Sequence, residues 1–158
     1  MKLYFLRHGL ADRSEWSGPD HERPLTSQGE ARMAHEADTF AELNLDLDYI
    51  YTSPLTRAYQ TAEIVADRLD LSDRLIEDQR LALGFDTDDL VEILGDHPDA
   101  EGIMLVGHEP DFSETIGDLI GSAEVVCKKG SLARIDVYDW ISPRGALVWL
   151  IPPKMLVL

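Results

Sequence analysis

The stretch Leu3-Tyr4-Phe5-Leu6-Arg7-His8-Gly9 constrains this chain more than any other. Four consecutive apolar residues are too few for a helix of their own and read as a strand covered on both faces. An arginine and a histidine follow at once. Two such groups at the carboxyl end of a buried strand are costly to hold unless an anion meets them. The carboxyl ends of strands are also where open α/β sheets bind ligands. The chain is therefore expected to be a layered α/β protein whose site is built around His8.

The remaining segments fit that architecture. Gly9 to Leu25 is a polar loop, with Gly18-Pro19-Asp20 as a turn signal. Thr26 or Ser27 caps a helix, Ser27 and Glu30 have capping-box spacing, and Met33, Ala37, Phe40 and Ala41 share its inner face. Asp48 to Thr52 reads as a second strand, stopped by Ser53-Pro54. A second helix follows, with Leu55, Ala58, Ala62, Val65, Ala66 and Leu69 inward. Leu75-Ile76 is a short strand in an acidic stretch, and Leu90, Val91 and Leu94 mark a third helix that closes near Gly95. Ile103 to Val106 is a clear strand ending at Gly107-His108. Pro110 then opens a helix with Phe112, Ile116, Leu119 and Ile120 inward. Two last runs, Leu132 to Tyr138 and Ala146 to Ile151, flank a Pro143-Arg144-Gly145 turn and are expected to pair antiparallel. Strand–helix alternation predicts a single three-layer α/β/α domain over residues 1–158, its sheet mostly parallel with an antiparallel edge strand.

Charge and cysteine content narrow the function classes. A net charge of −16 excludes general nucleic-acid binding, which needs a basic face, and favours a monomer or weak oligomer. Cys127 is the lone cysteine, so no internal disulfide can form and a reducing compartment fits. The opening apolar run is broken by Arg7 after four residues, and no run is long enough to span a bilayer. A cytoplasmic protein with no membrane partner is expected.

Right-handed crossovers place all parallel strand ends on one edge. That brings together Arg7-His8, Ser53 to Arg57, and His108-Glu109, groups far apart in sequence. His21, His35 and His97 show no such placement and read as loop or helix-surface residues. Arginine forks match phosphate oxygens. A histidine among them is pushed towards its neutral form by like charge and becomes a nucleophile. If its other nitrogen donates to a carbonyl, the tautomer is fixed and the free lone pair faces the substrate. Arg7, Arg57 and His108 can then hold the phosphoryl oxygens as charge develops. No metal-ligand spacing and no glycine-rich phosphate loop stand out, so neither metal nor cofactor is expected. Lys128-Lys129-Gly130, the dibasic run, reads first as charge protecting an edge strand and second as a docking point for an acidic partner. The apolar end, Met155 to Leu158, reads as cover for the sheet edge or the core.

These residues carry a resemblance. Leu6-Arg7-His8-Gly9, Arg23-Pro24-Leu25-Thr26 with Gly29, Ser53 to Ala62, and Val106-Gly107-His108-Glu109-Pro110 resemble the histidine phosphatase superfamily, in its order. The compact length and the closing Pro152-Pro153-Lys154-Met155 are similar to its smallest, SixA-type phosphohistidine phosphatases. The resemblance implies a phosphoglycerate mutase-like fold, His8 as phosphoryl acceptor, and Arg7, Arg57 and His108 as the phosphate pocket, without metal. Larger members place a glutamate general acid after the region matching Leu75 to Phe85 and often add a lid. Here Arg80 lies near that place, there is little room for a lid, and Asp20, Glu77 and Asp78 all stand as candidate acids. An imidazole leaving group needs less acid assistance than an alkoxide. The leading reading is a phosphatase acting on phosphohistidine of a signalling phosphotransfer protein. The alternatives are a phosphatase of small phosphate esters and a phosphate-dependent binding module with little turnover.

Overall fold

Successive side chains of a strand face opposite ways, and here both faces are apolar, so both need helical cover. A computed structural model of the protein, describing residues 1–156, shows how that cover is arranged. β1 (Lys2–Arg7), β2 (Tyr49–Thr52), β3 (Leu75–Glu77), β4 (Gly102–Gly107), β5 (Leu132–Asp139) and β6 (Arg144–Ile151) form one six-stranded sheet in the order β3-β2-β4-β1-β5-β6. The β3–β2, β2–β4 and β4–β1 pairings are parallel. β5 runs against β1 on one side and β6 on the other, so the antiparallel part lies at one edge. Tyr4, Leu6, Met104 and Val106 pack beneath α1 (Ser27–Glu42) and α2 (Thr56–Arg68). Leu3, Phe5, Ile103 and Leu105 pack beneath α3 (Thr87–Asp96) and α4 (Asp111–Leu119). A last turn, α5 (Pro153–Leu156), buries Leu156 on the α1 side, where the Thr39 hydroxyl donates to its carbonyl at 2.6 Å.

Several local expectations need correction. The cap of α1 is Thr26, whose hydroxyl accepts from Gly29 N–H at 3.0 Å; Ser27 is already helical, and the Ser27–Glu30 capping box does not form. A capping box does form at α3, between Asp86 and Asp89. Ala41 is exposed, and Glu36 takes a buried place on the inner side of α1. Arg144 and Gly145 belong to β6, not to the turn before it. Met155 is exposed, Leu156 is core, and Val157 and Leu158, also part of the expected apolar cover, lie outside the described residues.

Strand register builds the site. Arg7 pairs with Gly107 and Thr52 with Val106, so His8, Ser53 and His108 leave the sheet side by side. Backbone hydrogen bonds tie them there: His8 N–H donates to Gly107 O at 3.1 Å and Ser53 N–H to Val106 O at 3.0 Å.

Candidate active site

The imidazole of His8 is almost fully buried at this edge, with 5% of its surface exposed. Nδ1 lies 2.7 Å from Gly9 O, an acceptor only, so Nδ1 carries the proton and Nε2 keeps its lone pair. Arg57 Nε–H points at Nε2 from 3.3 Å, and the His108 ring centre is 5.3 Å from that of His8. Burial drives the His8 pKa down to about 2, with the like charges of His108, Arg57 and Arg7 adding to the effect. Like charge was expected to hold this ring neutral; loss of water is the larger cause.

The groups around His8 are held by backbone as much as by one another. Arg7 donates to Cys127 O at 2.8 Å, and Arg57 to Asp20 O at 3.0 Å and Asp20 Oδ2 at 3.3 Å. His108 Nε2 lies 2.7 Å from the Ser53 hydroxyl, and burial lowers its pKa to about 4, so this ring too is neutral at pH 7. Arg7 Nε and His108 Nδ1 are buried without a hydrogen-bond partner among the described residues. An unpartnered buried donor costs about 1–3 kcal/mol. An oxyanion is the ligand that would relieve it. Gly130 closes the back of the site: its N–H is shared between Arg7 O at 3.1 Å and His8 O at 3.2 Å. Its φ of +81° favours glycine there, and a Cβ would also press on the end of the Glu36 side chain at 2.8 Å.

A cavity of about 580 Å³ opens over His8. Arg7, Arg57 and His108 line it as expected, and so do Arg13, Arg23 and Lys129. Of the three candidate acids, Asp20 lies nearest, bonded to Arg57 and, through Oδ1 at 3.2 Å, to Arg23. Burial raises its pKa, but Arg57 and Arg23 outweigh that and hold it ionised, which suits an acceptor rather than an acid. None of Asp20, Glu77 and Asp78 is among the residues that line the cavity. Asp78 is paired with Arg80 at 2.6 Å, and that hydrogen bond lowers its pKa; Glu77 is exposed at the end of β3. The edge-protection reading of Lys128-Lys129 fails because the strand that follows, β5, lies inside the sheet, and Lys129 serves the cavity instead. Arg13, Arg23 and Lys129 were therefore missed as residues of the cavity. The signal for all three was their rarity, as loop cations in a chain of 14 lysines and arginines against 30 carboxylates.

The chain can now be set beside known proteins. The sequence model of the histidine phosphatase superfamily (branch 1) matches residues 3–82. An uncharacterised protein of Picosynechococcus sp. is 42% identical over 118 residues, which cover 72% of this chain and 70% of that protein. The solved structure of the protein histidine phosphatase SixA complexed with tungstate has a TM-score of 0.87 at 22% identity, covering 98% of each chain. A mycobacterial glucosyl-3-phosphoglycerate phosphatase solved with VO3 has a TM-score of 0.73 at 20% identity, covering 94% of this chain and 98% of that one. At those identities the two structures speak to fold alone. Sequence match and fold agree: this chain belongs to the histidine phosphatase superfamily.

Proposed function

We propose that the protein is a metal-independent phosphatase working through a phosphohistidine on His8, with phosphohistidine of a signalling phosphotransfer protein as substrate. The observation that carries the reading is the buried imidazole with Nδ1–H on Gly9 O and Nε2 facing the Arg57 guanidinium. In the first step the Nε2 lone pair forms a bond to phosphorus, and the bond from phosphorus to the substrate imidazole breaks. The electron pair leaves on that imidazole nitrogen, and the proton carried on the ring's other nitrogen makes the leaving group a neutral imidazole. Arg7, Arg57 and His108 hold the transferring oxygens, the charge neutralisation a metal supplies elsewhere. In the second step water attacks phosphorus, the bond to Nε2 breaks, and orthophosphate leaves with His8 again neutral.

The choice of phosphohistidine rests on the carboxylates of the cavity, each of which is already an acceptor. Asp12 accepts from Ser14 N–H, Glu109 from Ser113 N–H and Asp111 from Gly84 N–H. Asp20, which does not itself line the cavity, is held by three arginines. A leaving group that needs little acid assistance fits such a set. The second reading, a phosphatase of small esters, draws on the cavity volume, which falls within the range of small-molecule sites.

The test gives the enzyme, in excess EDTA, a histidine phosphotransfer domain loaded with phosphohistidine, and 3-phosphoglycerate and p-nitrophenyl phosphate in parallel. The expected result is a kcat/KM at least tenfold higher on the protein substrate, insensitive to the chelator. A preference for 3-phosphoglycerate would transfer the assignment to small esters. Loss of activity in EDTA would overturn metal independence. Substrate binding without any acid-labile, alkali-stable phosphoenzyme in a rapid quench would leave a binding module.

A further inference from the structure

The cavity does not end at the phosphate pocket. A second, shallower groove of about 340 Å³ adjoins it and shares Arg13 and Arg23 as walls, with Trp16, Gly18 and Asp20 completing it. The loop that forms it is folded by its own hydrogen bonds. Asp12 caps the turn over Arg13–Glu15 by accepting from Ser14 N–H at 2.9 Å. Trp16 Nε1–H donates to Pro19 O at 2.8 Å, and the indole lies so close over Gly18 that a Cβ there would meet the ring at 2.6 Å. A large aromatic ring is thus pinned at the protein surface, 36% exposed, beside the mouth of the cavity. Nothing in the phosphoryl-transfer chemistry uses it.

The charge of this region departs from that of the molecule. The chain carries −16 overall, yet this one cavity is lined by five cations, Arg7, Arg13, Arg23, Arg57 and Lys129, against three carboxylates, Asp12, Glu109 and Asp111. Asp20 is shared by Arg13, Arg23 and Arg57, so one carboxylate answers three guanidinium groups. The Arg13 side chain is 81% exposed and reaches Asp20 only at 3.8 Å. The positive surplus is local, and at physiological salt it is felt over about 8 Å. An acidic partner is repelled by most of this surface and least repelled at this mouth, which biases how it docks.

We propose that the Trp16–Arg13 groove is the docking site for the partner protein, recognising an apolar side chain and a carboxylate that flank the phosphorylated residue. The apolar side chain packs on the indole, and the carboxylate pairs with Arg13. A rigid aromatic anchor in a preformed groove is the residue type that dominates protein-interface energetics. The inference rests on the phosphoprotein reading above and adds the surface that selects the partner.

The experiment compares kcat/KM on a phosphohistidine-loaded phosphotransfer domain with kcat/KM on free phosphohistidine, for the wild type, Trp16→Ala, Trp16→Phe and Arg13→Gln. Trp16→Ala is expected to lose tenfold or more on the protein substrate and to stay within twofold on free phosphohistidine. Trp16→Phe recovers most of the loss. Raising NaCl lowers the wild-type rate on the protein substrate, and Arg13→Gln flattens that dependence. If Trp16→Ala matches the wild type on the protein substrate, the docking site is wrong and the phosphoprotein reading stands. An equal loss on both substrates would make Trp16 a support of the phosphate pocket and overturn the proposal. A wild type with no preference for the protein substrate would overturn the phosphoprotein reading, and the docking site with it.

Discussion

Two clusters of histidine, arginine and carboxylate stand at opposite ends of the same parallel strands, and only one is built for chemistry. At the amino end, Asp48, Tyr49, Arg74, Asp96, His97 and Glu101 line a cavity of about 510 Å³. There His97 stacks on Tyr49, with ring centres 3.8 Å apart and planes within 15°, and Arg74 lies 5.8 Å from the same ring. The imidazole is satisfied by an aromatic face and carboxylates surround the cations. At the carboxyl end, His8 and His108 are buried, their rings tilted towards each other, with arginines about them and with Arg7 Nε and His108 Nδ1 lacking a hydrogen-bond partner among the described residues. Residue type alone does not separate the two clusters. Loss of water, convergence of like charges and unpartnered donors do.

The largest expected effects break that comparison most directly. His8→Ala should lower kcat by about 10³-fold or more, as loss of a nucleophile does, and should abolish the trapped phosphoenzyme. His97→Ala should leave kcat/KM within twofold and cost about 1 kcal/mol of stability through the lost stack. Arg57→Ala should cost about 10²–10³ in kcat, the loss of one preorganised donor, where Arg74→Ala costs nothing measurable. Steady-state kinetics paired with urea melts reads both quantities. A tenfold fall in kcat/KM for His97→Ala would mean that the two ends are coupled and that the division is mistaken.

The carboxyl-end site was legible because each part closes a strand with its own signature. Leu3–Leu6 runs into Arg7-His8, Tyr49–Thr52 into Ser53, and Ile103–Val106 into Gly107-His108, so topology alone predicts their meeting. The substrate-facing cations were less legible. Arg13 sits on a loop with no periodicity, and its approach to Asp20 depends on a short turn capped by Asp12, which carries no long-range signal. Lys129 was visible as a basic run but misplaced, because β5 looks in sequence like an edge strand and is enclosed between β1 and β6. Glu36 was hidden for a different reason: a charged residue one position before Ala37 reads as solvated, and only the Gly130 loop folding over α1 buries it.

Asp20 sharpens the comparison within the active end itself. Its carboxylate bridges arginines and is held ionised, which favours positioning of Arg57 over proton donation. Asp20→Asn keeps a side-chain oxygen and removes the charge. The expected loss in kcat/KM is about tenfold, that of one charge-assisted hydrogen bond, and it should be equal for p-nitrophenyl phosphate and for an alkyl phosphate. An acid role predicts otherwise: almost no loss with p-nitrophenolate, a good leaving group, and a large one with the alkoxide. A loss that grows with leaving-group pKa would return Asp20 to the place of the missing acid.

The smallest expected effect concerns stability. Glu36 is buried against Gly130, behind Arg7 and His8, and its Oε2 has no hydrogen-bond partner among the described residues. Burial pushes its pKa from 4.5 up to about 8, against a weaker pull from Arg32. Between those two values the folded state keeps a proton that the unfolded state has released. Stability therefore falls as pH rises from about 4.5 to about 8 and is level beyond. Glu36→Gln removes that slope. The variant should match the wild type at pH 4 and exceed it at pH 8 by an amount on the order of 2–4 kcal/mol, since each pH unit between the folded and unfolded pKa values is worth about 1.4 kcal/mol. Urea melts at the two pH values measure the difference. Equal stabilities at pH 8 would mean that Glu36 ionises in the folded protein without penalty, with Arg32, which already pulls its pKa down, as the source of compensation.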